Sequence, residues 1–171
     1  MDEISYKLNA EELYYGMVDV AKTRLITKIF KILSMVLLGA MAFVTVVTMK
    51  SGSFNITTGY VITIVLALYG YFLPEISAKV QVPTIVKNKA PLSQQLKLNF
   101  YKTYFSLSGE TFNHKINYQK LHSVVETDDF ILLKTAEGSA DILPKRAFST
   151  DQLLKFKSIL GAVEGLKVKL K

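Results

Sequence analysis

The sequence predicts an α+β membrane protein: a two-helix transmembrane hairpin, then a cytosolic antiparallel sheet domain capped by a C-terminal helix. Three observations carry this. Residues 32–49 and 51–74 contain no charged side chain and are separated only by Lys50. Short runs of alternating apolar and polar residues fill the stretch after Leu92, punctuated by turn-forming residues. A capped amphipathic segment follows from Ser149. A bilayer core of roughly 30 Å needs about 20 apolar residues at a helical rise of about 1.5 Å each, so both uncharged runs reach across. A buried hairpin in a soluble domain is the alternative, and it fits less well, because a buried helix rarely needs apolar residues on every side.

The chain has 171 residues, a net charge of +7 and no cysteine, which excludes disulfides and thiolate zinc sites. The first apolar run is not a secretory signal: it starts late, and Asp2, Glu3, Glu11, Glu12 and Asp19 precede it where a signal carries a short basic region. The basic residues sit beside the apolar runs. Lys22, Arg24, Lys28 and Lys31 lead into the first, and Lys79, Lys87 and Lys89 follow the second, while the connecting turn has only Lys50. Cytoplasmic flanks are enriched in Lys and Arg, which puts both termini in the cytoplasm and makes the protein a multi-pass membrane protein. These lysines have no interleaved stacking aromatics, so a nucleic-acid site is not expected.

In order, Ile4, Tyr6 and Leu8 alternate with polar residues as a strand does. Such a short strand is unstable alone, so residues 1–9 are expected to join the C-terminal sheet. Asn9 and Glu12 have the spacing of a capping box. From there one long helix is expected to run to Met49, inside a unit of residues 10–82 whose spans cover about 30–49 and 55–74. Gly59, Thr63 and Ala67, with Gly70 nearby, give the second span a small-residue face, and Gly39, Ala42 and Thr45 give one to the first. These faces are expected to pack on each other, with a homodimer seam as the alternative. Neither span holds an ionisable group, which argues against a pump or transporter. Pro74 is expected to kink or end the second helix, and Pro83 and Pro91 to punctuate a linker.

Residues 92–165 read as the sheet domain: six strands, with turns at Ser108-Gly109-Glu110, Thr127-Asp128-Asp129 and Glu137-Gly138, forming an antiparallel meander. Ser149 and Gln152 again have capping-box spacing, and Leu153, Phe156, Leu160 and Val163 form the stripe of the closing helix. Residues 166–171 read as a basic tail, solvated or touching anionic lipid.

The run Leu98-Asn-Phe-Tyr-Lys-Thr-Tyr-Phe, then Ile116-Asn-Tyr-Gln-Lys-Leu, Val125-Glu-Thr-Asp-Asp-Phe and Ile142-Leu-Pro-Lys-Arg-Ala-Phe148 resembles the YcxB-like family of bacterial membrane proteins. Pro144-Lys145-Arg146-Ala147-Phe148 is the most specific part, and the two spans and N-terminal segment match the family's layout as well. The resemblance implies a C-terminal domain similar to bacterial pleckstrin-homology-like (PH-like) domains, a bent antiparallel sheet closed by a helix. The family's activity is largely uncharacterised, so the resemblance sharpens the fold more than the function.

No glycine-rich phosphate loop, paired-carboxylate site or metal cluster emerges, no cofactor is implied, and an enzyme is not expected. His114 and His122 lie in different predicted strands, with no acid or nucleophile at motif spacing, and Asp128-Asp129 read as turn formers. Lys145 and Arg146 are the candidate ligand contacts, two cations before a helix start that suit lipid phosphates or an acidic partner. A purely structural role, with the two charges solvated, is the competing reading of that pair. The expected function is a membrane-anchored interaction module whose cytosolic domain binds a protein or lipid headgroup; the alternative is an immunity protein against a membrane-active bacteriocin or toxin.

Overall fold

The structure, a computed structural model, describes residues 3–88 and 91–171. Asp2 and Lys89 of the charge pattern above lie outside the described residues. The chain begins with strand β1 (Glu3–Tyr6) and continues through four helices: α1 (Ala10–Thr23), α2 (Leu25–Lys50), α3 (Thr58–Tyr71) and α4 (Leu73–Lys87). Six strands follow: β2 (Leu96–Phe100), β3 (Tyr104–Ser108), β4 (Asn113–Asn117), β5 (Ser123–Glu126), β6 (Phe130–Ala136) and β7 (Ser139–Pro144). Helix α5 (Thr150–Gly161) and a short strand β8 (Val168–Lys169) complete an α+β fold.

Two four-stranded sheets form, in the orders β1-β2-β3-β4 and β7-β6-β5-β8. Strand β1 lies antiparallel to β2, with Ile4 opposite Leu98 and Tyr6 opposite Leu96. Ile4, Tyr6 and Leu8 all point into the core, each 3% exposed, because a period of two puts alternate side chains on one face. Helix α5 closes the core: Phe156 and Leu160 are fully buried, and the Phe156 ring lies 5.1 Å from that of Phe100 and 5.6 Å from that of Phe148. Both capping boxes are present, Asn9 with Glu12 and Ser149 with Gln152.

Helix α1 rests on β7 through Gly16. A Cβ there would stand 2.7 Å from Ile142 Cγ2, so the helix approaches this closely only where the side chain is absent.

Four expectations are corrected. The single helix over residues 10–49 is two helices, separated at Arg24, whose ψ of 137° is extended. The sheet causes the break: Arg24 Nη2 donates to the Gly138 carbonyl at 2.7 Å, and the Leu25 N–H donates to Glu137 Oε1 at 2.7 Å. That carboxylate satisfies a backbone donor that no preceding turn can reach. Secondly, α4 runs through Pro83, so the linker expected between Pro83 and Pro91 is largely helical. Pro83 removes one backbone donor, and the packing of α1 along α4 holds the helix across that gap. Thirdly, residues 166–171 are no free tail. Gly165, in the left-handed region at φ 77°, turns the chain back so that β8 pairs with β5. Fourthly, the six strands do not form one continuous meander: β2-β3-β4 and β5-β6-β7 pair antiparallel as expected, but in two separate sheets, and β8 adds a parallel partner to β5.

Among the described residues α2 is the one helix that is by itself long and apolar enough to cross a membrane, with 26 residues and a mean hydropathy of 2.3. Helices α3 and α4 meet the same test only together, and they bend by 65° at Phe72, where Pro74 occupies the first turn of α4. The second expected span, about 55–74, is therefore not one straight helix. Helices α2 and α3 pack through Ser34 and Ala67, both buried, and a hydroxyl pair joins Thr45 to Tyr60 at 2.5 Å. Of the small-residue face expected on α2, Thr45 is on this seam, whereas Gly39 meets open space and Ala42 is exposed.

Candidate functional site: a basic groove beside the apolar helix

Lys145 and Arg146 occupy a single helical turn after β7. Lys145 Nζ donates to Glu126 Oε1 at 2.9 Å, and Lys157 Nζ reaches the same oxygen at 2.8 Å. The Lys171 backbone N–H takes Oε2 at 2.9 Å. The Glu126 side chain is 2% exposed. Burial pushes its pKa up, but the hydrogen bonds from Lys157, Lys145 and the Lys171 backbone outweigh that and bring it to about 2. Arg146 grips Glu12 through Nε and Nη2, the latter 2.7 Å from Oε2, and Nη2 also donates to the Lys7 carbonyl at 3.0 Å. A ligand at either cation competes with a carboxylate already in place.

A different set of cations comes together elsewhere. Between the α1–α2 junction and the β5–β8 edge lies an open groove of about 680 Å³. Five lysines line it (Lys22, Lys28, Lys134, Lys167 and Lys169) against the two carboxylates Asp19 and Glu137. One of the two, Glu137, caps the start of α2. Lys22 also pairs with Glu75 at 3.2 Å. Leu25, the first residue of α2, is part of the wall, so the groove opens where the apolar helix begins.

Lys134 is the unusual member. It is 3% exposed, yet its ammonium donates to a neutral partner, Thr23 Oγ1, at 3.0 Å, and no carboxylate of the described residues forms an ion pair with it. Thr23 in turn donates to the Val20 carbonyl at 2.7 Å, so its oxygen is held in place as an acceptor. Burial pulls the Lys134 pKa below the usual lysine value; Glu137 opposes this, and the charges of Lys28 and Arg24 add to it. Beside the groove, Arg24 Nε is buried with no hydrogen-bond partner among the described residues.

The basic residues expected to flank the membrane thus have distinct surroundings. Lys22 and Lys28 line the groove, and Arg24, outside its lining, is near enough to Lys134 for the two charges to repel. Lys31 lies over the Tyr71 ring at 4.9 Å, and Lys79 is exposed on α4. Sequence reasoning missed Lys134, Lys167 and Lys169 as partners of this set. The one available signal was Lys134 itself, which directly follows the apolar run Phe130-Ile-Leu-Leu133 in β6, a strand buried on both faces. His122 borders the groove, whereas His114 is exposed on β4 with its ring 5.0 Å from that of Phe112. Asp128 is engaged by Lys171. No group of metal-ligating side chains gathers among the described residues.

Fold and groove define a small α+β domain built directly onto an apolar helix, with cations collected at the joint. Residues 100–160 match the family model described as YcxB-like protein, so the segment from the end of β2 to the last turn of α5 is a YcxB-like one. Strand β1, helices α1 to α4 and strand β8 lie outside the matched residues. No curated protein and no solved structure matches the chain.

Proposed function

We propose that this protein is a membrane-anchored binding module. In this reading α2 and the bent α3–α4 pair form two spans, both termini are cytoplasmic, and a PH-like domain faces the inner leaflet to bind a lipid headgroup or a protein. The observation that supports it best is the rigid joint at Arg24. Helix α1 is packed into the sheet domain, and the β6–β7 turn caps the first turn of α2, so the domain has a fixed attitude to the apolar helix. Ile29, Ile32, Leu33 and Val36 on α2 are at least half exposed, an apolar surface that water does not favour and hydrocarbon does. The excess of Lys and Arg beside the spans supports the orientation. It is a reading of binding rather than catalysis, because the groove gathers mainly cations. Since the chain has no cysteine, Ser53→Cys and Ser158→Cys report topology with an impermeant maleimide on intact cells. Labelling at position 53 alone is expected, and labelling at 158 alone reverses the orientation.

A further inference from the structure

We propose that the groove between the α1–α2 junction and the β5–β8 edge is a phosphate site, with Lys134 at its floor and Lys22, Lys28, Lys167 and Lys169 around it. The inference rests on the membrane-anchored reading for the identity of the phosphate's carrier and on the groove itself for the chemistry.

An ammonium taken out of water without a counter-ion is costly, and proteins ordinarily pair such a group or neutralise it. Lys134 is 3% exposed and its partner is a hydroxyl, not a carboxylate. The nearby cations, Lys28 and Arg24, repel it. A second donor next to it, Arg24 Nε, is buried and lacks an acceptor among the described residues. A buried ammonium whose acceptor is only a hydroxyl, and a buried guanidinium N–H beside it with none among the described residues, at a groove where five lysines face two carboxylates, describe a site lacking one anion. A phosphate supplies several strong acceptor oxygens and enough charge to serve more than one lysine. The groove volume of about 680 Å³ exceeds what a bare phosphate requires and leaves room for a substituent.

The position of the groove favours a substituent that is lipid. Leu25 is in its wall, and from there α2 carries exposed apolar side chains, Ile26 and Ile29 among the first. A phospholipid lying along α2 therefore has its headgroup at the groove and its acyl chains on those residues. Basic pockets at the cytoplasmic ends of spans hold anionic headgroups in this way. This chemistry is independent of Lys145 and Arg146, which face Glu126 and Glu12.

The test uses the full chain in nanodiscs, with melting temperature as the readout, since a ligand that binds the folded state alone raises it. One arm titrates inorganic pyrophosphate into phosphatidylcholine discs at constant ionic strength. The other compares discs of phosphatidylcholine alone with discs doped with phosphatidylglycerol. Stabilisation in the doped discs alone assigns a lipid headgroup, stabilisation by pyrophosphate assigns a free phosphate, and no shift in either arm overturns the site. Lys134→Met is expected to abolish the shift while melting, without anion, no lower than the wild type, because it removes an unpaired buried charge. Lys28→Gln, at an exposed position, is expected to weaken binding roughly fivefold and carries the test should Lys134→Met misfold. Shifts equal to wild type in both variants overturn the proposal. Alkaline carbonate extraction of the same membranes reads the anchoring separately. A chain released by carbonate defeats the anchored reading, whereas a retained chain with no shift defeats only the phosphate site.

Discussion

Arg146 and Glu12 meet as a two-pronged ion pair across 134 positions of sequence, tying the turn after β7 to the first turn of α1. Its hydrogen bonds to Arg146, more than any other cause, hold the Glu12 carboxyl below the usual carboxylate range. The pair therefore stabilises the fold above the ordinary glutamate pKa and stops doing so as pH falls through the lower folded value. Because Arg146 is more than half exposed, the coupling is expected to be modest, about 0.2–1 kcal/mol. A double-mutant cycle of Arg146→Ala with Glu12→Gln measures it. Glutamine keeps the capping box, so the cycle isolates the charge; zero coupling disproves the tie.

Glu126 is expected to matter more. Glu126→Gln removes the counter-charge from Lys145 and Lys157 in a buried setting, a change that typically costs about 3–5 kcal/mol. Its folded pKa of about 2 lies below the ordinary 4.5, so its stabilisation is complete above 4.5 and disappears as pH drops toward about 2. Chemical denaturation across that window should show the wild type converging on the variant. Parallel curves for the two proteins would contradict the assignment.

Gly70 permits the approach of α3 to α2. A Cβ at this position would stand 2.6 Å from Ser34 Oγ but 3.9 Å from Ser34 Cβ. Gly70→Ala is thus expected to destabilise the helix pair by about 1–3 kcal/mol, and adding Ser34→Ala to recover most of the loss. Thermal melts of the full chain in detergent decide this, and a double variant no better than Gly70→Ala alone rules out the contact.

Strand β1 protects an edge. Removing residues 2–8 deletes Ile4, Tyr6 and Leu8 from the core and unpairs β2 along its outer side. Hydrogen exchange is expected to accelerate across residues 96–100, with smaller effects in β6. Unchanged protection in β2 after the truncation would count decisively against this pairing as a source of stability.

What was legible in the sequence was whatever local chemistry decides. The alternation of Ile4, Tyr6 and Leu8, the Asn9 and Ser149 caps, and the six strands of the sheet domain all follow from side-chain period and backbone donors. What was not legible came from partners distant in sequence. Nothing near Arg24 breaks a helix; Glu137 and Gly138 do so from the sheet. Lys167 and Lys169 read as a loose tail because their environment is set by the pairing of β8 with β5, fixed only once Gly165 has turned the chain. The candidate groove was half visible, as Lys22, Arg24 and Lys28 beside an apolar run. Its floor was hidden, because only the folded sheet brings Lys134 to Thr23.

The cap on α2 also carries a statement about the order of synthesis. The Leu25 N–H waits for a carboxylate made 112 residues later, and β1 waits for β2. Helices α1 to α4 are all translated before either partner exists. The first turn of α2 is therefore completed only after the whole helix has been made, and β1 is without its partner strand until β2 follows. Closing the sheet joins two strands that four helices separate in the chain.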